Sequence, residues 1–280
     1  MLSPLGFSLG YAGSLILFVF GYLTALHPDW FGLADNIAAM RLIFILTAVW
    51  WLIFMIPLLT AVLKEERLAK EVIRPWQAVK SAFGELKETL QEIKQSRDTA
   101  IFLLAYWLYI DGVYTVIKMA VAYSEALGFD SSVPLKGILA VQVIAIPATL
   151  GFGWLAGKFG TRRMIMIGVT AYLVVTAGAP LMTKPEHFYI LAGIIGLAQG
   201  GIQSMSRSMF ARLIPQHKAG KYFGFYNMVG KFAAVIGPFL MATMALVFNE
   251  RLSILAIPVL LIVGMVLLAR VKDPKQAESS

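Results

Sequence analysis

Eight apolar runs decide what this chain can fold into. They fall at residues 8–26, 42–63, 99–121, 136–157, 163–182, 188–208, 222–247 and 252–270. Each is about the length, roughly 20 residues, that a helix needs to cross a ~30 Å hydrocarbon layer. With 59% apolar and 14% charged residues among 280, and a mean hydropathy of +0.75, the runs are too numerous for a single soluble core. Membrane β-strands alternate apolar and polar positions over about ten residues, whereas these runs are continuous. The sequence therefore predicts an all-α polytopic membrane bundle of about eight transmembrane helices.

Basic residues divide the connecting segments into two classes. Segments 64–97, 157–163 and 208–221 and the tail from Arg270 hold seventeen Lys and Arg; the alternate loops hold only Arg41, Lys136, Lys184 and Arg251. The side rich in basic residues is expected to be cytoplasmic, with both ends of the chain on that side. A net charge of +8 arranged this way reports orientation in a bilayer, so no nucleic-acid partner is expected. Residues 1–40 lack Lys and Arg, unlike the basic start of a signal peptide. A first span without flanking positive charge reads as one lying downstream of other helices. The absence of cysteine rules out disulfides, and His27, His187 and His217 lack ligand spacing, so no metal or cofactor is expected.

The long link has a period of its own. Val72, Trp76, Val79, Phe83, Leu86, Leu90 and Ile93 follow 4-3-4-3-4-3 spacing with Lys, Glu and Gln between them, the pattern of an amphipathic helix starting near Pro75. It reads either as a regulatory, partner-binding helix or as a linker lying in the interface or on the bundle's cytoplasmic face. The expected organisation is two transmembrane helices in 1–64, a linker helix in 65–97, six helices in 98–271 and a tail in 272–280.

Charged and amide side chains inside the runs are costly to insert, and usually face a bundle interior or a solute pathway. Asp111, Thr115 and Lys118 share one face of the third run at i, i+4, i+7. In the sixth, Gln199, Gln203, Ser206 and Arg207 form a polar stripe beside a small-residue stripe of Gly196, Gly200 and Ser204, which permits close helix packing. The seventh puts Asn227 and Lys231 at i, i+4, and its Gly237-Pro238 should kink or loosen it. Asp111 is the one mid-depth carboxylate, so an Asp111–Lys231 pair across the bundle is expected. The alternatives are interhelical hydrogen bonding for the glutamines, snorkelling for Lys118 and Arg207, and an internal Asp111–Lys118 bridge.

Around these residues, "YWLYIDGVYT", "GLAQGGIQSMSRSMFARLIP", "FGFYNMVGKFAAVIGP" and the opening "LGFSLGYAGS" resemble the vacuole-effluxer-like branch of the major facilitator superfamily. That branch comprises fungal autophagy-linked amino-acid effluxers and bacterial relatives. The resemblance runs from Ser3 to about Lys272. It implies helices five to twelve of a twelve-helix fold, with four helices outside the chain.

It also implies solute transport by alternating access, amino-acid efflux in the eukaryotic members, and a central cavity lined by the third and sixth runs. Asp111, Gln199 and Gln203 are then cavity residues, and Lys231 supports structure or gating. The segment "GWLAGKFGTRRM" is similar to the superfamily's loop motif, with Gly153, Lys158, Gly160, Arg162 and Arg163 in a cytoplasmic gate; Gly157 stands where the motif has an acidic residue.

The expected partners are the lipid bilayer and a small solute, with a coupled proton or cation as an open alternative. The missing helices or another copy of the chain would complete the protein, and a fragment without transport of its own is the competing reading. A bacterial inner membrane is the expected location. Neither a nucleophile with a paired base nor a glycine loop opening a nucleotide domain occurs, so no enzyme is expected.

Overall fold

The computed structural model describes residues 2–66 and 75–272, with side chains described for 2–61 and 84–272. Its helices are α1 (Leu2–Leu26), α2 (Asn36–Glu66), α3 (Pro75–Gln95), α4 (Arg97–Ala126), α5 (Ser132–Phe159), α6 (Thr161–Gly178), α7 (Pro185–Leu213), α8 (Ala219–Phe232), α9 (Ile236–Val247), α10 (Glu250–Ser253) and α11 (Ile257–Ala269). Among the described residues there is no strand. Among the described residues, eight stretches are long and apolar enough to span a bilayer, the seventh containing α8 and α9 and the eighth α10 and α11. The chain is an all-α polytopic bundle and an integral membrane protein. Val72, Trp76, Val79 and Phe83, on which the amphipathic pattern partly rests, have side chains outside the described residues.

Two compact units are present: Met1–Ala12 with Glu85–Ser280, and Gly13–Gly84. Their limits fall inside α1 and α3. In the Gly13–Gly84 unit, Asp35 caps α2 by accepting from the Ala38 N–H at 2.7 Å. The α1–α2 turn is compacted by His27 stacked on Trp30 with ring centres 4.1 Å apart, and Gly21 lets Ile43 lie against the α1 backbone.

The larger unit has two chemically different ends. At the basic end, Thr99 donates to the Leu213 carbonyl (3.2 Å) and Arg162 donates to the Val271 carbonyl (2.6 Å), joining the ends of α4, α6, α7 and α11. At the opposite end, Tyr123 donates to the Arg251 carbonyl (2.7 Å), and the Arg251 guanidinium donates to the carbonyls of Pro180 and Met182 (2.9 and 2.7 Å). These bonds answer the terminal backbone carbonyls that no helix can satisfy internally.

Between the ends, small residues set the packing. Gly264 of α11 lies so close to α4 that a Cβ would meet the Tyr109 nitrogen at 2.8 Å and the Ala105 carbonyl oxygen at 3.1 Å. A Cβ on Gly200 of α7 would overlap the Thr149 hydroxyl of α5, and one on Gly196 would stand 3.1 Å from the Val141 carbonyl oxygen. Gly196 and Gly200 of the small-residue stripe thus lie at the α5–α7 interface, while the Ser204 carbonyl accepts from the Ser3 hydroxyl of α1. Without a hydrophobic driving force between helices in lipid, such close backbone approach is the main source of adhesion.

Candidate functional site

The seventh span is interrupted. α8 ends at Phe232, residues 233–235 form a turn, and α9 begins at Ile236, immediately before the Gly237-Pro238 pair that is expected to loosen this span. A helix start inside a bilayer leaves N–H groups with no intrahelical partner. Asp111 of α4 answers two of them: the Gly237 N–H donates to both carboxylate oxygens, at 3.1 Å each, and the Ile236 N–H donates to the same carboxylate. Thr115, one turn along α4, donates to the same carboxylate at 3.4 Å. The carboxylate also stands at the positive end of the α9 dipole. A Cβ at Gly237 would overlap the Thr115 hydroxyl, so only glycine lets α9 start this close to α4.

Asp111 therefore caps a half-helix from outside it. It is 1% exposed, and it is not paired with Lys231. Among the described residues the ion pairs are Lys218–Glu92 (2.6 Å) and Lys221–Glu88 (3.6 Å), both at the basic end. The expected Asp111–Lys231 bridge does not form. That expectation counted ionisable side chains as the possible partners of a buried carboxylate. Backbone N–H groups freed by the break are equally good donors, and they lie closer.

The remaining polar groups form three stripes. On α7, Gln199, Gln203 and Arg207 recur every four residues, with Arg207 exposed and the glutamines half-buried. On α8, Phe223, Asn227 and Lys231 do the same, with Asn227 and Lys231 exposed. The Arg207 guanidinium lies over the Phe223 ring, 5.0 Å from its centre, so the two stripes meet there. The third stripe, on α4, runs from Tyr106 through Tyr114 to exposed Lys118, with the Tyr106 and Tyr114 side chains hydrogen-bonded. Ser206 leaves the polar stripe and turns into the core, hydrogen-bonding the Tyr109 hydroxyl (2.7 Å) and donating to the Ile202 carbonyl (2.7 Å).

The two halves of this unit differ in filling. Toward the basic end, Tyr106, Phe210 and Tyr226 stack, with ring centres 4.3 Å (Tyr106–Tyr226) and 4.8 Å (Phe210–Tyr226) apart, and Phe223 meets Phe210 edge-on. The other half holds a cavity of about 260 Å³, lined mostly by apolar side chains of α4–α7 and α9. Its polar lining includes Tyr11, Gln142 and Gln199, and the side chains of Tyr11 and Gln199 are hydrogen-bonded. Of the sequence-derived pathway residues, only Gln199 lines this cavity. Tyr11 and Gln142 were missed: a tyrosine in an apolar run reads as an interfacial aromatic, and one amide without a stripe carries no spacing signal.

The α5–α6 loop holds the expected gate residues. Gly160 takes φ +89°, a conformation that favours glycine. Arg162 donates to the carbonyls of Val271 and Ala269 (2.6 and 3.3 Å) at the end of α11, where a cation also complements the helix dipole. The Lys158 ammonium stands 3.9 Å from the Trp154 ring centre, Arg163 is exposed, and Gly153 leaves room for Pro4. Beside this loop, the basic end carries α3. Lys218, together with the Tyr222 hydroxyl, holds the Glu92 carboxyl below its ordinary range.

Comparison with known proteins places these features in a family. The family model for "Vacuole effluxer Atg22 like" proteins matches residues 1–279. The uncharacterized MFS-type transporter YxiO of Bacillus subtilis (strain 168) is 37% identical over 282 residues, covering 100% of this chain and 65% of that protein. Autophagy-related protein 22 of Yarrowia lipolytica is 26% identical over 271 residues, covering 85% of this chain and 44% of that protein. Autophagy-related protein 22-1 of Penicillium rubens is 25% identical over 299 residues, covering 94% and 49%. The chain thus spans from under half to about two thirds of the length of these relatives.

Proposed function

The chain belongs to the vacuole effluxer Atg22-like family, and on that premise we propose that it acts in membrane transport of a small solute by alternating access. The solute would pass along the joined polar stripes of α4, α7 and α8. The observation that carries this reading is the set of polar and charged side chains, Gln203, Arg207, Asn227 and Lys231, on adjoining faces of spans that would otherwise be apolar. Groups of this kind inside a bilayer mark ion and solute paths. The break between α8 and α9 supports it, since discontinuous helices in transporters lie where solutes bind.

The test is counterflow of a labelled panel, headed by the amino acids that the resemblance implies, into vesicles containing the 280-residue chain. Saturable exchange lost in Gln203→Leu supports the reading. Exchange that is unchanged by this substitution rejects the pathway.

The length comparison favours a second reading, in which the chain works with another polypeptide or a second copy of itself. Cross-linking in the membrane followed by mass determination decides between them, and a monomer competent in exchange removes the second. We further assign the basic end to the cytoplasmic face of a bacterial inner membrane. The chain has no cysteine, so single cysteines at His217 and Ser131 report without background. An impermeant thiol reagent should label position 131 from outside intact cells and leave 217 unlabelled. The reverse pattern overturns the orientation.

A further inference from the structure

The deep charges of this molecule do not cancel. Among the described residues, the charged groups away from the span ends include Asp111, Arg207 and Lys231, with Lys118 toward the far end of α4. The carboxylate of Asp111 is taken up by the Gly237 N–H and the Thr115 hydroxyl, and is shut from the surface. The three cations are exposed, and none has a carboxylate within ion-pair distance among the described residues. Other acids of the described spans, such as Asp98, Glu125 and Glu186, sit at helix ends.

The cations also lie at successive depths. Helix rise puts Arg207 about 9 Å in from the basic end of α7, Lys231 about 18 Å along α8 and Lys118 about 32 Å along α4. Lys231 is too deep for its four-carbon stem to reach the interface of a ~30 Å layer. Gln203 and Asn227 lie one turn from Arg207 and Lys231 respectively, and each adds an amide donor. The face is rich in donors and, among the described residues, shows no carboxylate paired with these cations. A lysine held this way is costly in a bilayer unless something negative joins it.

We propose that Lys231, with Arg207 nearer the basic end, binds the anionic group of a small solute, a carboxylate or a phosphate, and that the pathway selects anions. This rests on the pathway reading above and gives it a substrate class. A carboxylate donated by a second copy of the chain is the competing neutraliser, and the experiment separates the two.

The purified 280-residue chain in nanodiscs is titrated with lactate against lactamide, glycerol 3-phosphate against glycerol, and choline, with thermal unfolding as the readout. Stabilisation by either anion, absent for its neutral match and for choline, and weakened at least tenfold in Lys231→Gln, supports the proposal. Stabilisation by the neutral solutes alone, unchanged in Lys231→Gln, overturns it and leaves transport itself standing.

A second variant needs no ligand. Asn227→Asp puts a carboxylate one turn before Lys231, the favourable order for a helical pair. If the site awaits an anion, this variant melts higher than the parent and its response to lactate and glycerol 3-phosphate disappears. If a protein carboxylate already occupies Lys231, Asn227→Asp melts lower and Lys231→Met melts lower too, which also overturns the proposal. Absence of solute counterflow in vesicles counts against the transport reading, whereas these two melting comparisons decide the anion assignment independently.

Discussion

Helices α2 and α4 are nearly equal in length, 31 and 30 residues, and opposite in surroundings. α2 has no charged residue from Leu42 to Leu63, yet none of residues 42–61 is buried. α4 carries Asp111, Lys118, Thr115 and several tyrosines, and it supplies much of the core, including Phe102, Tyr109, Ile110 and Val113 at 0% exposure. In water the more apolar helix would be the buried one. In a bilayer lipid accepts apolar side chains as readily as protein does, and burial follows groups that need a partner or allow close backbone approach. On α4 the polar and small residues inside the apolar run accompany its place in the core.

The strongest way to break this contrast is to add volume where α4 meets α11. The Cβ of Gly264→Val would press on the Tyr109 nitrogen and the Ala105 carbonyl, backbone atoms that cannot rotate aside. A loss of about 3 kcal/mol is expected, the upper part of the range for overpacking. Phe54→Ala on α2, where Phe54 is 62% exposed, should change stability by under about 0.5 kcal/mol. Denaturant unfolding in nanodiscs measures both. Equal costs would remove the distinction between the two spans.

Asp111 comes next. Asp111→Ala strands the Gly237 N–H at the start of α9, so about 1–3 kcal/mol should be lost. Asp111→Asn keeps one acceptor oxygen and should lose about half as much. Combined with Lys231→Met, each change should add within about 0.5 kcal/mol, as expected of residues that share no partner. A double variant that regains the stability of the parent would restore the Asp111–Lys231 bridge.

Tyr109 and Ser206 join α4 to α7 by a single buried hydroxyl pair. Tyr109→Phe, Ser206→Ala and their combination should give a coupling of about 0.6 kcal/mol, the typical worth of such a bond within a membrane. A coupling near zero would assign the adhesion of these helices to packing alone.

The sequence carried the spans and the polar stripes, because a run of about 20 apolar residues and a four-residue recurrence are local patterns. The close approach of α7 to α5 was legible in Gly196 and Gly200 for the same reason. The partner of Asp111 was not legible. Gly237 lies 126 positions away, and its N–H becomes a donor only because residues 233–235 leave the helix. The break itself was legible: Pro238 cannot donate to the Ala234 carbonyl and its ring clashes there, which places the interruption in residues 233–235 and Pro238 in the first turn of α9. Ser206 was misplaced on the polar stripe because helical spacing fixes direction only to within a face, and the neighbouring hydroxyl of Tyr109 decided which way it turned.

The smallest expected effect lies outside the spans, where α3 meets the start of α8 through Glu92 and Lys218 at 2.6 Å. Unlike the contacts of α4, this pair is partly open to water, with Lys218 39% and Glu92 26% exposed, so it is screened and its contribution to global stability is minor. Its pH dependence has a definite sign. Glu92 is held below the ordinary glutamate value of 4.5 by the Lys218 hydrogen bond, then by the Tyr222 hydroxyl. A carboxyl whose folded pKa is depressed stabilises the folded form above its unfolded pKa, and that contribution is lost as pH falls through the folded value. Attachment of α3 should hold at neutral pH and loosen as pH falls through the depressed Glu92 value, below 4.5. Hydrogen exchange of residues 85–95 should accelerate relative to the intrinsic rate at low pH, or in 1 M salt, where the screening length falls to about 3 Å. Lys218→Gln should give the loosened state already at neutral pH and remove most of the pH step, with the melting of α4–α7 unchanged. A step of full size in Lys218→Gln would show that another group fastens α3, and a fall in the melting of the whole bundle would make this end part of the core.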